Sequence, residues 1–376
     1  MTGNTRWSAA MGLREAGVYY ALLILLAVLA VIAASRGLPP YLSAQNLGNI
    51  AYQASLVGIM GVAMTVMLIT GAFDLSVASV AALAAAVLIG LAPQIGFIPA
   101  MLCALLTAAA IGIVNGAIVL FVGINAFIVT LGTLTAVRGL VLVLTGGRSL
   151  MVEQPELLQQ MLAFESTRVP VFWPLLLIGL GALAFGILRR HPAAVAGGLT
   201  VAAALLAGPG FMVAVPVLYL ALFAGGMALV LRYTVPGRRI YAVGGNAEAA
   251  RLSGINVHAY KLGAFILSSV SAGFAGVLFG CRLGAINPTA LQGTELTVIA
   301  AAILGGTSLF GGAGNVVKTV AGALVLFTLT NGFNVLNLGA SYQGLIEGVV
   351  VIAAAAIYTV GGRRRANPRA AAVGAA

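Results

Sequence analysis

The chain has 376 residues, 61% of them hydrophobic and only 7% charged, with a mean hydropathy of +1.10. A water-soluble domain carries roughly 25% charged residues to cover its surface, so this composition excludes a soluble globular protein and makes lipid the solvent. The formal charge of +11 does not imply nucleic acid, because the basic residues occupy short breaks between apolar runs, the pattern that orients membrane proteins.

Apolar runs near 20 residues, enough to cross a hydrocarbon core of about 30 Å, recur along the chain. Residues 1–17 read as a polar cytoplasmic tail with Arg6 and Arg14. The run at 18–34 has the form of a signal peptide or of an uncleaved span. It ends in Ser35-Arg36-Gly37 without a clear small-residue cleavage pattern, and more spans follow, so it is read as the first span. Further spans are expected at 47–69, 77–94, 98–122, 126–144, 171–188, 193–208, 210–231, 261–281, 295–312, 316–336 and 342–360. The fold class is therefore all-α, a polytopic transmembrane helical bundle. It has about 12 spans (about 10 to 14), since Gly-rich stretches also suit re-entrant or broken helices. Residues 18–360 form one transmembrane domain and 361–376 a second cytoplasmic tail.

Charge sets the orientation. With the N-terminus inside, the inner loops and ends hold Arg6, Arg14, Arg189, Arg190, Arg232, Arg238, Arg239, Arg251, Lys261, Lys318, Arg363, Arg364, Arg365 and Arg369. The outer side holds only Arg36, Arg148, Arg168 and Arg282, while Arg138 lies within a span. This asymmetry puts both termini in the cytoplasm. The longest outer segment, 145–170, carries Glu153, Glu156 and Glu165. Its stretch from Glu156 to Phe164 has leucines at helical spacing, as a helix lying on the membrane surface would. The 49 glycines suit close helix approach. Cys103 and Cys281 fall in or beside apolar runs and read as packing residues rather than a disulfide or metal pair. His191 and His258 stand in loops without ligand-spaced partners.

The longest inner segment, 232–260, contains a short punctuated helix. Asn246 suits an N-cap, Glu248 lies in the first turn, Arg251 is near the C-terminus and Gly254 can take the left-handed conformation after it. Such a helix is too short to be stable alone. Either it docks on its own bundle or on a cytoplasmic partner, or it is a chance turn in a solvated loop; the pattern alone leaves both open.

The segment GRRIYAVGGNAEAARLSGINV (237–257) resembles the cytoplasmic loop of permeases in the ribose/xylose branch of bacterial ABC sugar importers. The likeness extends to LSAQNLGNI (42–50), GAFDLSVAS (71–79), AFIVTLGTLTAVRGLVLVLTGG (126–147), RLGAINPTA (282–290) and IAAAILGGTSLFGGAGN (299–315), in the family's order. The extra apolar pair around 171–208, with Arg189-Arg190-His191 between its members, is similar to the longer xylose-type permease.

The resemblance implies a permease domain over 18–360 that translocates a monosaccharide, a pentose such as xylose or ribose, across the bacterial inner membrane. Its loop 232–260 would supply a coupling helix to a groove of a separate ABC ATPase subunit, through Glu248, Ala249, Ala250, Arg251, Leu252, Ser253 and Gly254. A second permease copy (a homodimer) would complete the pathway, and a periplasmic sugar-binding protein would meet the outer loops 145–170 and 282–294. The chain has no GxxxxGK[ST] segment. It would bind no cofactor itself, ATP being used by the partner, and would not be an enzyme.

Charged groups inside spans cost about 2.5–3.5 kcal/mol on insertion scales and mark pathways or pairs. Asp74 and Arg138 suit either a structural pair or direct sugar contact. Glu295 opens a span, and Glu347 lies in the last. Asn125, Thr130, Thr133, Asn331 and Asn334 would line a sugar passage with Phe127 stacking on a sugar face, or else make interhelical hydrogen bonds. The block Gly305–Gly312 superficially resembles a phosphate cradle. It follows an apolar span and lacks a lysine at the right offset, so a bend between membrane segments is expected. Gly71–Ser79 is its counterpart in a faint internal repeat, with Ala72 and Ala78 where the family usually has Gly. Two rivals remain. An ion-coupled secondary sugar transporter would want a relay of intramembrane carboxylates, and only Asp74 is well placed for one. A membrane enzyme would need a nucleophile, base or metal cluster, which the sequence does not offer.

Overall fold

A computed structural model describes residues 13–189, 193–337 and 348–349. The expected span at 342–360 (apart from 348–349), Glu347, Arg190, His191 and the chain ends, including Arg6 and the arginines beyond 360, lie outside them. Among the described residues, nine helices are long and apolar enough to cross a membrane. They are α1 (Leu13–Ser35), α2 (Ala44–Ile69), α3 (Val77–Ile95), α4 (Phe97–Ala117, continued by a π-helical turn Ile118–Val122), α5 (Ala126–Thr145), α7 (Phe172–Arg189), α9 (Val215–Tyr233), α12 (Val257–Leu283) and α14 (Val316–Val335). Shorter helices complete the order: α6 (Pro155–Ser166), α8 (Ala193–Ala207), α10 (Val235–Gly245), α11 (Ala247–Leu252) and α13 (Thr294–Leu304).

The run expected to span 295–312 corrects to α13, whose 11 residues reach about 16 Å, roughly half a hydrocarbon core. Gly305 ends it, pressed against the backbone of Lys318 and Thr319 where a side chain has no room. The chain then runs through 305–315 without a helix. The equivalent stretch after α2 is also unwound, at 70–76, so both Gly-rich blocks are breaks rather than crossings. The two breaks touch: the Gly312 N–H donates to the Ile69 carbonyl at 2.9 Å.

Helix α2 is the axis of the bundle, buried at every residue from Ala54 to Ile69. Around it pack α12, α13, α14 and α9, and α12 in turn packs on α3 and α4. Contact is close because small residues face one another. A side chain at Gly276 would strike the Ala81 backbone, and one at Gly322 the Ala301 carbonyl. In lipid, such van der Waals fit is what holds helices together. The α7–α8 pair packs chiefly on itself, Gly179 against Gly197 and Val201. It joins the bundle through the antiparallel ribbon of β2 (Arg168–Pro170) with β3 (Met212–Ala214), in the register Arg168↔Ala214. A second ribbon pairs β1 (Leu150–Met151) with β4 (Ala285–Ile286).

Both ribbons and α6 lie at one end of the bundle. Helices α10 and α11 and the breaks near Ile69 and Gly312 lie at the other, here called the basic-loop end. Helix α6 does not simply float on a surface. Leu157 and Met161 are buried, and Glu165, 0% exposed, is clamped. Glu165 accepts from Tyr52 Oη (2.7 Å), Ser166 Oγ (2.8 Å) and Arg282 Nε (2.8 Å), and the Arg282 guanidinium stacks 3.9 Å above the Tyr52 ring. Cys281 is a buried core residue and Cys103 is half-buried on α4; both are free thiols.

Candidate functional site

The basic-loop segment is more ordered than a loop. Thr234 caps α10, accepting from the Gly237 N–H, with Pro236 in the first turn where its missing donor costs nothing. Asn246 caps α11, accepting from the Ala249 N–H at 2.9 Å, and Asn256 caps α12 in the same way from Ala259 at 3.0 Å. Gly254, at φ +79°, turns the chain after α11 so that Ile255 N–H reaches back to the Ala250 carbonyl at 3.0 Å. Two asparagine caps and a left-handed glycine thus fix a six-residue helix that has no stability of its own.

Of the expected contact residues, Glu248, Ala249, Arg251, Leu252, Ser253 and Gly254 face outward. Ala250 does not: it is buried at 4% exposure and is the residue by which α11 rests on its own bundle. Glu248 and Arg251 pair at 2.8 Å with side chains 64% and 68% exposed. Behind them, α10 is seated on backbone. A side chain at Gly244 would collide with the Ile69 carbonyl and Gly312 N–H, and one at Gly311 would strike the Gly244 carbonyl. Tyr241 locks this junction by donating to the Gly314 carbonyl at 2.8 Å. Burial pushes its hydroxyl above the ordinary tyrosine range, keeping it a neutral donor.

The intramembrane residues do not converge on one cavity. Asp74, 0% exposed, accepts from Ser76 N–H (3.0 Å) and Oγ (2.6 Å) on one oxygen and from Ser268 Oγ (2.7 Å) on the other. The chain of bonds continues from Asn115 Nδ2 to Ser76 Oγ (3.1 Å) and from Thr133 Oγ1 to Asn115 Oδ1 (2.6 Å). It ties the first break to α4, α5 and α12.

Asp74 and Arg138 are therefore not a pair. Arg138 Nη1 donates to the carbonyls of Pro288 (3.1 Å) and Ala290 (2.7 Å). That holds 288–290 down inside the bundle, about 10 Å from the end of α5 at 1.5 Å per residue. So part of the loop 282–294 dips inward rather than projecting. Within it, Leu291 is left-handed at φ +60°.

Asn331 exchanges amide hydrogen bonds with Asn46 at 3.0 and 3.2 Å. Thr130 bonds the Ala126 carbonyl on its own helix, and Asn125 caps α5 by accepting from the Phe127 N–H. Phe127 and Asn334 are exposed on the bundle surface, and Glu295 is half-buried in the first turn of α13. A cavity at the end opposite the basic loop is lined by Gln45, Gly48, Tyr52, Arg168 and Phe211 among others, and by none of the residues expected to line a sugar passage. The sequence reading missed Ser76, Asn115 and Ser268. Their only signal was polarity inside apolar runs, shared with many residues that merely back-bond to their own helix.

A bundle of helices long and apolar enough to span a membrane, interrupted by two touching breaks and carrying a capped, outward-facing helix at one end, is the build of a membrane transport permease. The chain belongs to the family described as the permease component of branched-chain amino acid transport systems, whose family model matches residues 46–355. It is 35% identical to the ribose import permease protein RbsC of Escherichia coli (strain K12) over 337 residues, 89% of this chain and 90% of the relative. It is 34% identical to the xylose transport system permease protein XylH of the same organism, over 84% of each chain. It is 32% identical to that organism's D-allose transport system permease protein AlsC over 90% of each. No solved structure matches it.

Proposed function

We propose that this chain is the membrane-spanning permease of an ATP-binding-cassette importer, carrying a monosaccharide, a pentose such as xylose or ribose, across the bacterial inner membrane. The observation that carries the reading is α11: pinned by caps and by Ala250, it presents Glu248, Arg251 and Leu252 to the outside on a rigid backbone seat. An ATPase subunit closing on ATP would push there, and the push would reach the breaks at 70–76 and 305–315 through Gly244. ATP binding would thereby drive alternating access, with ATP used by the partner and no cofactor held by this chain.

The basic-loop end is assigned to the cytoplasm. Among the described residues it collects Arg189, Arg232, Arg238, Arg239, Arg251, Lys261 and Lys318, against Arg36, Arg148, Arg168 and Arg282 at the other. Arg282 is moreover neutralised by Glu165. Both termini follow into the cytoplasm, flanking one permease domain. A second copy would complete the pathway, and a periplasmic sugar-binding protein would dock on the outer end around 145–170. The extra α7–α8 pair favours a xylose-type system.

Uptake of labelled xylose, ribose and allose in cells lacking the gene, with and without complementation, tests this reading. In inside-out and right-side-out vesicles, transport must depend on ATP and the partner ATPase. Ion-gradient-driven uptake without ATP would overturn it. A carboxylate relay for that carrier is not favoured, since both Asp74 oxygens already accept from serine hydroxyls.

A further inference from the structure

Phe310 is 92% exposed, the largest exposure of any large apolar side chain among the described residues. It sits in the break 305–315 and is held there by a tight turn: Ser308 N–H donates to the Ala313 carbonyl at 2.9 Å, and Phe310 N–H to Ser308 Oγ at 3.2 Å. Gly311 and Gly312, at φ +87° and +72°, fold the chain back. They lay it against Gly244 and Gly245, immediately before α11. The ring is therefore presented by backbone contacts on the same end as Leu252, itself 79% exposed at the close of α11.

We infer that Phe310 and Leu252 form two apolar prongs of one docking surface, and that the occupant is the ATPase subunit, an inference that rests on the function proposed above. The segment that seats this loop and carries α11 also bears the exposed Arg238, Arg239 and Arg251, so the fitting surface is a soluble protein face with two apolar notches and an acidic edge. Lipid is the poorer occupant. The neighbouring Glu248, Ser253 and the outward face of α11 need water, and the loop that carries the ring folds onto α10 rather than away from it. Aromatic anchors seated in pockets, surrounded by polar rims, carry a large share of binding energy at protein interfaces.

The test uses full-length permease with Cys103→Ala and Cys281→Ala, co-expressed with the ABC ATPase encoded beside it. Phe310→Cys and Leu252→Cys are each labelled by a membrane-impermeant maleimide in inside-out vesicles. Both are expected to label readily without the ATPase and about tenfold more slowly with it. Phe310→Ser is expected to weaken ATPase retention by about tenfold, the scale of one anchor residue, while Phe310→Leu retains most of it. All readouts are normalised to permease in the membrane. Unchanged labelling at 310 with shielding at 252 overturns this inference alone. Unchanged labelling at both positions overturns the proposed function with it. No labelling at 310 even without the ATPase places the ring in lipid and also overturns the inference.

Discussion

Reversing Arg251 to Glu separates docking from stability, because the structure makes the stability term small. The Glu248–Arg251 pair is short, 2.8 Å, but its side chains are 64% and 68% exposed. Such a pair on a helix contributes about 0.3–0.5 kcal/mol, and two glutamates in its place cost a similar amount in repulsion. The permease itself should lose no more than about 1 kcal/mol in total. A guanidinium seated against an acidic groove is a different case. Removing one partner of a docked, desolvated charge pair costs about 2–5 kcal/mol, and each 1.4 kcal/mol is about a factor of ten.

The expected outcome is therefore normal abundance in the membrane and a melting midpoint close to wild type, with ATP-dependent uptake down by about thirtyfold or more. The charge swap Glu248→Arg with Arg251→Glu rebuilds the local ion pair while misplacing the charge, and it should stay defective. Wild-type uptake by Arg251→Glu, or full rescue by the swap, would refute the docking role of α11.

Glu165→Gln removes the charge on which Arg282, Tyr52 and Ser166 converge. It should lower permease stability in detergent by about 2–4 kcal/mol, at the low end because Arg282 is partly exposed. Adding Arg282→Met should cost less than the two single losses summed, as a double-mutant cycle would show. Gly244→Ala drives a methyl into the Ile69 carbonyl and should cost about 1–3 kcal/mol by overpacking. It should abolish uptake while leaving α11 labelled as in wild type, read by cysteine accessibility at 252. Asp74→Asn retains one acceptor oxygen and should cost about 1–3 kcal/mol through the donor left unmatched, seen as a lower melting midpoint. The pH profile of uptake should stay that of the wild type. A profile flattened by the substitution would instead mark Asp74 as part of a proton relay.

Which parts of this structure could be read in the chain depends on how locally each is determined. Spans are local: nine of the expected apolar runs coincide with helices long enough to cross a membrane among the described residues, because a run of about 20 apolar residues has few alternatives in lipid. The runs 193–208 and 295–312 form only shorter helices. Helix α11 is local too, and Asn246 caps it as expected, since a cap is set by residues three apart. Helix α10 was not anticipated. Its Gly237, Gly244 and Gly245 read as loop residues, whereas Gly244 at least is there for a close approach to Ile69, far away in sequence. The same distance left the intramembrane polar groups undecided between lining a passage and bonding another helix. Thr133 and Asn331 each bond another helix, through Asn115 and Asn46. Nothing short of the packed bundle says which asparagine faces which. Arg138 looked like a partner for Asp74 because charges are scarce in the spans. In fact it finds backbone carbonyls in a loop 150 and 152 residues further on.

These placements bear on how a push at the basic-loop end would travel. Side chains at an interface absorb displacement by changing rotamer, at a cost of about 1 kcal/mol or less. The glycines of the seat between α10 and the two breaks have none to change: Gly244, Gly311 and Gly312 meet backbone to backbone, and the Gly312–Ile69 hydrogen bond crosses between the breaks. Movement of α10 must therefore move Ile69 and Gly312 with it. Five residues beyond Ile69 lies Asp74, whose bonds to Ser268, and through Ser76 and Asn115 to Thr133, grip α12, α4 and α5. A rigid seat at one end and a polar knot at the other leave the unwound residues 70–73 as the compliant link of this path. On this argument the first break is where α2 and α3 change their relation during transport. A cysteine pair that staples Gly71 to Gly311 should arrest uptake in a way that reductant reverses, whereas a staple within the α7–α8 pair should not.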